Sequence, residues 1–366
     1  MDSMNKLQNQ FYNAVIAALG VNNQYFQFYS SGTNLQTDAD LWGFQNQIPP
    51  YSLTWNPLTY SASPFFSQYT DLINELSFPE SKFKSDIGSD NYDNWIVYLN
   101  SLKPSPAPNT IPNLFQKWAL INCPSKLSIG VSDLNAMIYV TGGQQQLKPY
   151  EGQPPIPVDF TNNMTDLKAA LNKSPQVKFA MDSSSASGDV SGTWTGGVDL
   201  NYFGLWTDSS TYSLLNRKFS DSDVAVSFTL EKVTSVPFGP GKWYDSGLLH
   251  MTYAGNTEPL PWPTDPDPSW DDLFGNEGTM NYINLATTVA DGISFELRSN
   301  AIFTEDEQNR IEENLGNGIW PLYDSTMNYT LSFDELGMLI KGTKAPGNPT
   351  LIGSHVSSIQ NYLISG

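Results

Sequence analysis

Five prolines punctuate the stretch from Glu258 to Ser269, and the aspartates among them are where oxygen-ligand chemistry would sit. Asp265-Pro-Asp267-Pro-Ser269-Trp-Asp271-Asp272 alternates side-chain oxygens as the first half of an EF-hand loop does. The match then breaks. Trp270 stands where the sharp turn of such a loop needs glycine, and the twelfth position is Asn276 rather than a bidentate glutamate. Asp265, Asp267 and Asp271 are therefore candidate Ca2+ ligands of an irregular loop, with a solvated Asp-Pro turn as the simpler reading. No other cofactor is expected.

The remaining chemistry is mostly excluded. The chain has two histidines, His250 and His355, and one cysteine, Cys123. That count rules out a His-rich or Cys-based metal site and an intrachain disulfide. No G-x-S-x-G elbow accompanies either histidine. His250 follows Gly247-Leu248-Leu249, which reads as a strand with the imidazole at its end. Gly239-Pro-Gly-Lys242 is not a phosphate cradle: it lacks the spacing between glycines and the Ser/Thr after the lysine, and Pro240 removes an amide donor. Glu231 and Glu296 fall at polar positions of expected strands, so a catalytic carboxylate pair would depend on what folding brings together.

Aromatics are the abundant functional type. There are 10 Trp, 18 Tyr and 19 Phe. Trp194, Trp206, Trp243, Trp262, Trp270 and Trp320 lie in loops rather than in periodic segments. A flat ring beside Asn, Asp or Gln suits the face of a sugar. Trp194, Trp243, Tyr244, Trp262 and Trp270 are taken as candidate ligand-binding residues, against the alternative that they plug loops onto the core. Asp182 to Leu200 is rich in Ser, Gly and Thr around Trp194. A stretch of this kind could be a surface loop, or a hairpin that unfolds to line a membrane barrel.

Composition narrows the partners. Net charge is −19, and charged residues are only 15% of the chain, so the surface must be largely Asn, Ser, Thr, Gln and Tyr. Nucleic-acid binding needs a basic stripe and is not expected. The acidity is local: Glu258 to Glu313 holds 13 acidic and 2 basic residues, which fits a solvated face. The first residues lack a charged-then-apolar secretory pattern, and no run of 18 apolar residues occurs. The expected location is the cytoplasm, or outside the cell by a route without a classical signal.

The elements that would position these residues divide at Gly142 to Pro157. Before it, Leu7, Phe11, Val15 and Ala18 repeat at helical spacing, and short helices are expected at Asp38, after Ser63-Pro64, over 92–102 and over 114–122. After it, Val177, Phe179 and Met181 alternate, as do Val224, Val226, Phe228 and Leu230. Ile293, Phe295 and Leu297 alternate too, and the two arms around 334–337 read as a hairpin. Thr304-Glu-Asp-Glu307 is a capping box. The expected architecture is α+β: a mainly helical region over 1–143, a linker over 144–157, and a larger antiparallel β-sandwich over 158–366, with the helical region packed on it.

These features point to a non-enzymatic binding protein, toxin-like in composition, that recognises a cell surface, a glycan or a membrane. The alternatives are a carboxylate-based hydrolase acting on a carbohydrate, and a structural protein or homo-oligomer assembled through exposed strand edges.

Overall fold

The computed structural model describes residues 2–21, 26–49, 64–78, 80–152, 156–184, 213–255, 262–263, 266–314 and 326–365. In chain order the elements are α1 (Asp2–Leu19), β1 (Phe26–Asn34), α2 (Asp38–Gln45), α3 (Phe65–Glu75), α4 (Glu80–Ile87), α5 (Ser89–Ser101), α6 (Ile111–Asn122) and α7 (Leu127–Glu151). They continue as α8 (Met164–Leu171), β2 (Val177–Asp182), α9 (Ser213–Ser220), β3 (Val224–Pro237), α10 (Ser246–Ala254), α11 (Trp270–Phe274), β4 (Tyr282–Ser299) and α12 (Glu305–Asn314). The last are β5 (Asn328–Asp334), β6 (Gly337–Lys344), β7 (Thr350–Ser358) and α13 (Ile359–Ser365). The α+β class holds: helices dominate the N-terminal region and seven strands form one large antiparallel sheet. No helix among the described residues is long and apolar enough to cross a membrane.

The chain forms two compact units, and neither is continuous in sequence. One comprises Met1–Ala62, Phe160–Gly239 and Tyr282–Ser358; the other comprises Ser63–Asp159, Pro240–Asn281 and Ile359–Gly366. This differs from a simple division near residue 150. Residues 144–151, expected in a linker, continue α7. The Gly142-Gly143 pair is tolerated because the helix is braced by packing, which overrides weak propensity, and the glutamines after it are good helix formers.

The sheet unit is built on β3 and β4. They pair without a register shift from Val224 opposite Ser299 to Pro237 opposite Ala286. The other edge of β4 is shared. Its first half pairs with β7, and its second half pairs with β6, which also carries β5. The switch occurs at Gly292, whose φ of 72° lies in the left-handed region. The neighbouring Asp291 carboxylate accepts the Gly347 amide at 2.7 Å, holding the β6–β7 connection at the fork.

Burial explains which strands were readable. In β3 Val224, Val226, Phe228 and Leu230 are buried while Ala225, Ser227 and Glu231 are exposed. Their apolar face joins Phe295 and Leu297 of β4 and Ile340 of β6, and is covered by Tyr12 and Val15 of α1, Phe219 of α9 and Ile311 of α12. The first half of β4 lacks this alternation because both its faces are covered. Ala290 belongs to that cluster, whereas Val289 packs with Leu41 and Phe44 of α2 and Leu167 of α8. The expected capping box forms at α12: the Glu307 amide donates to Thr304 Oγ1 at 3.4 Å, and the Thr304 amide donates to the Glu307 carboxylate at 2.7 Å. A second box, Thr37 with Asp40, opens α2.

In the helical unit α4, α5, α6 and α7 share a core of Phe83, Ile87, Trp95, Phe115, Trp118 and Leu134. Cys123 is buried there as a packing thiol, and burial raises its pKa above the ordinary thiol value. Gly247 to His250, expected as a strand, lie in α10. Asp245 caps that helix by accepting the Leu248 amide at 2.9 Å, and this local cap favours a helix over extension.

The two positive-φ glycines of the sheet separate backbone strain from crowding. A Cβ at Gly292 would meet the Glu231 side chain, its movable carboxyl at 2.7 Å and its Cβ at 2.9 Å. A Cβ at Gly337, where φ is 118°, would meet the Ser299 carbonyl oxygen at 2.0 Å. Gly292→Ala should therefore cost about 1–2 kcal/mol of stability and Gly337→Ala distinctly more. Urea midpoints of the two variants check the ranking, and an equal loss would refute the role of the Ser299 contact.

Candidate functional site

The helical unit holds a cavity of about 640 Å³ walled by α4, α7 and α10. Lys82 and Asp86 come from α4, Ser132, Asp133, Asn135 and Tyr139 from α7, and His250 and Met251 from α10. Spacing delivers these groups. Lys82 and Asp86 are one turn apart on the same helix face and form an ion pair, with the ammonium 3.2 Å and 2.9 Å from the two carboxylate oxygens. On α7 the inward stripe runs through Gly130, Asp133, Leu134, Ala136, Val140, Gly143 and Leu147. Asp133 is the acid in an otherwise apolar stripe.

Two glycines of that stripe let the neighbours close in. A Cβ at Gly130 would come within 2.3 Å of the Phe115 ring, and one at Gly143 within 2.3 Å of Leu248 in α10. The close approach of α10 sets the opposite wall of the cavity.

Two of the expected ligand-binding tryptophans, Trp262 and Trp270, bond the end of α10. The last carbonyls of a helix have no partner within it. Trp262 Nε1 donates to the Thr252 carbonyl at 3.0 Å, and Trp270 Nε1 donates to the Tyr253 carbonyl at 2.9 Å. Both carbonyls belong to the final turn of α10. Trp262 is only 7% exposed, and Trp270 is half-buried against Tyr253 and Phe274. Trp243 is fully buried in a cage of Phe65, Phe66 and Tyr69, with Nε1 bonded to the Asp159 carbonyl at 2.8 Å. Tyr244 packs on Phe65 and Tyr69. Trp243 and Trp262 therefore offer no open face to a sugar, and the sugar-stacking expectation is corrected for both. They anchor loops, because an indole N–H must find an acceptor once its ring is buried. Trp194, Trp206 and Trp320 lie outside the described residues, as does the stretch 185–200.

The other expected site residues do not converge. Asp267 and Asp271 are exposed, and Asp265 lies outside the described residues. Ser269, between them, is used in a capping box with Asp272 at the start of α11. Among the described residues no group of three His, Cys, Asp or Glu is placed to hold a metal. Glu296 forms an ion pair with Lys341 at 2.9 Å across β4 and β6. Glu231 faces Gly292 on β3, four residues along the ladder, roughly 13 Å away at the rise of a strand. Those two carboxylates are no catalytic pair. His355 is half-buried in β7, and burial lowers its pKa.

Sequence reasoning passed over Asp133, and a signal was present: an aspartate at i+3 from Gly130 and one residue before Leu134, on the buried stripe of a helix. Asp133 is 3% exposed, and its Oδ2 has no hydrogen-bond partner among the described residues. Burial raises its pKa to about 6, the Asp86 charge adds to the rise, and the Lys82 ammonium opposes it. A buried carboxyl beside a second carboxylate, offset only in part by one ammonium, costs stability in its ionised form, and groups shifted in this way are common at functional sites.

The cost has a sign. An unfolded aspartate ionises near 3.8, while folded Asp133 holds its proton to about 6, so its favourable contribution is complete below the first value and lost as pH rises through the second. Asp133→Asn is neutral throughout. The variant should match the parent near pH 3.5 and exceed it by on the order of 1–3 kcal/mol at pH 7.5. Urea melts of both proteins at the two pH values check this, and an offset independent of pH would contradict it. Comparison with known proteins finds no matching family model, no matching curated protein and no matching solved structure.

Proposed function

We propose that the protein is a non-enzymatic binding protein that recognises a hydroxylated ligand, the end of a glycan, in the cavity between α4, α7 and α10. The observation that carries this reading is a cavity of about 640 Å³ that Asp133, Ser132, Asn135 and His250 line together with Tyr139. Small-molecule sites combine an apolar lining with a few fixed polar groups. Here Ala136, Met251 and Ala254 supply the apolar surface, and Ser132, Asn135 and His250 supply the polar rim. Tyr139 is 45% exposed and lines the cavity, so its ring is the aromatic surface open to a sugar face.

The second reading is a carbohydrate hydrolase, favoured by two carboxylates, Asp86 and Asp133, lining one cavity. A carboxyl that holds its proton to about pH 6 suits a general acid. Against it, both oxygens of Asp86 are tied to Lys82, which weakens Asp86 as a base.

Titration calorimetry of the full chain against a panel of monosaccharides and short oligosaccharides tests the first reading. Binding is expected, with affinity reduced about tenfold or more by Asp133→Asn, since a hydrogen bond to a charged group contributes roughly 1.5–3 kcal/mol. Release of reducing ends from the same oligosaccharides, lost in both Asp86→Asn and Asp133→Asn, would replace binding by hydrolysis. No heat with any sugar would sink both.

A further inference from the structure

Lys344, the last residue of β6, is the one buried lysine among the described residues, at 5% exposure. Its Nζ donates to Asn34 Oδ1 at the end of β1 and to Thr350 Oγ1 at the start of β7. Thr350 is itself fully buried. The backbone holds the three residues in place. Asn34 stands opposite Thr350 in the β1–β7 ladder, while Thr350 stands opposite Ala290 and Lys344 opposite Ile293 along β4. The Leu35 amide donates to the Pro349 carbonyl at 2.9 Å and closes the end of the β1–β7 pair. Asn34 Nδ2 points the other way, to Thr326 Oγ1 at 3.5 Å. A primary amine thus meets the carbonyl side of a carboxamide at a buried position, although no ladder joins their two strands.

Burying an ammonium is costly even when it is hydrogen-bonded. An amine fixed against a carboxamide away from water is also a nucleophile already in place. We infer that Lys344 and Asn34 join in an intramolecular isopeptide bond that ties β1 to β6. Lys344 first gives up one proton of its ammonium. Nζ then adds to Asn34 Cγ, the Nζ–Cγ bond forms and the Cγ–Nδ2 bond breaks. A second Nζ proton passes to Nδ2, with the Thr350 hydroxyl as the relay. Nδ2 leaves as ammonia and takes up the first proton as ammonium. Nothing is oxidised or reduced, no co-reactant is consumed, and a neutral amide replaces the buried charge. The link is independent of the cavity, since all three residues belong to the sheet unit.

Mass spectrometry of the denatured full chain tests this. The parent is expected to be one ammonia lighter than its sequence, with Lys344→Met and Asn34→Ala at their full sequence masses. A tryptic digest of the parent should contain one branched peptide joining the segments that hold Asn34 and Lys344. On a denaturing gel the parent should run ahead of both variants, because the link closes a loop between residues 310 positions apart. The digest needs only the parent, so a variant that fails to fold leaves the test intact. Thr350→Val keeps the shape but removes the relay, and should slow the appearance of the branched peptide about tenfold or more. A parent at full sequence mass, with its Asn34 and Lys344 peptides separate, would overturn the inference. Loss of ammonia without a branched peptide would place the loss elsewhere and overturn it equally. A branched peptide that forms in Thr350→Val at the parent's rate would uphold the bond and overturn the relay.

Discussion

The antiparallel pairing of β3 with β4 is the constraint on which the sheet unit depends. Both strands are long, 14 and 18 residues, well beyond the usual strand length. A pairing of that length twists, and no single neighbour follows the far edge of β4 along its whole course. The edge is instead divided between β7 and β6, and the chain needs one residue at the division that can leave ordinary β geometry. Gly292 is that residue. The helices that cover the apolar face, α1, α9 and α12, then complete a core whose alternation the two central strands dictate.

The helical unit follows a different logic. Its long helix α7 has a buried stripe of small and apolar residues, and two glycines in it let α6 and α10 approach closely. Into that stripe it places Asp133. Taking a carboxylate out of water costs several kcal/mol unless charges and hydrogen bonds repay it. Within the fold the Asp86 charge opposes its ionisation, and the Lys82 ammonium offsets that only in part. Two indoles from the segment that follows α10 bond carbonyls of its last turn.

Several elements were legible because their signals are local. The Thr304–Glu307 box needs only four consecutive residues and forms as expected. The β5–β6 hairpin depends on a tight turn between alternating arms. In β3 one wet face keeps the period of two visible, whereas the first half of β4 hides it by burying both faces. The Leu248-Leu249 pair suggested extension, and the Asp245 cap decided for helix. β1 went unread because its Ser, Ser, Gly and Thr carry no period, and its pairing with β7 lies more than 300 residues away in sequence.

The α+β class, the lack of phosphate, dinucleotide and His/Cys metal motifs, the Thr304 capping box and the β5–β6 turn are all readable in the residues themselves, whereas the caps at Thr37, Asn163, Asp245 and Ser269 were not read. These follow from composition and from interactions spanning a few residues. Only the tertiary structure decided which residues share a site. The candidate cavity draws on α4, α7 and α10, and the residues from Lys82 to His250 meet there only after the chain has left the helical unit and returned to it. The same holds for the tryptophans. Side-chain type announced aromatic surface, but Trp243 is closed in by Phe65, Phe66 and Tyr69 from a helix far away in the chain, and Trp262 turns back across ten residues to the end of α10, arrangements that no periodicity encodes.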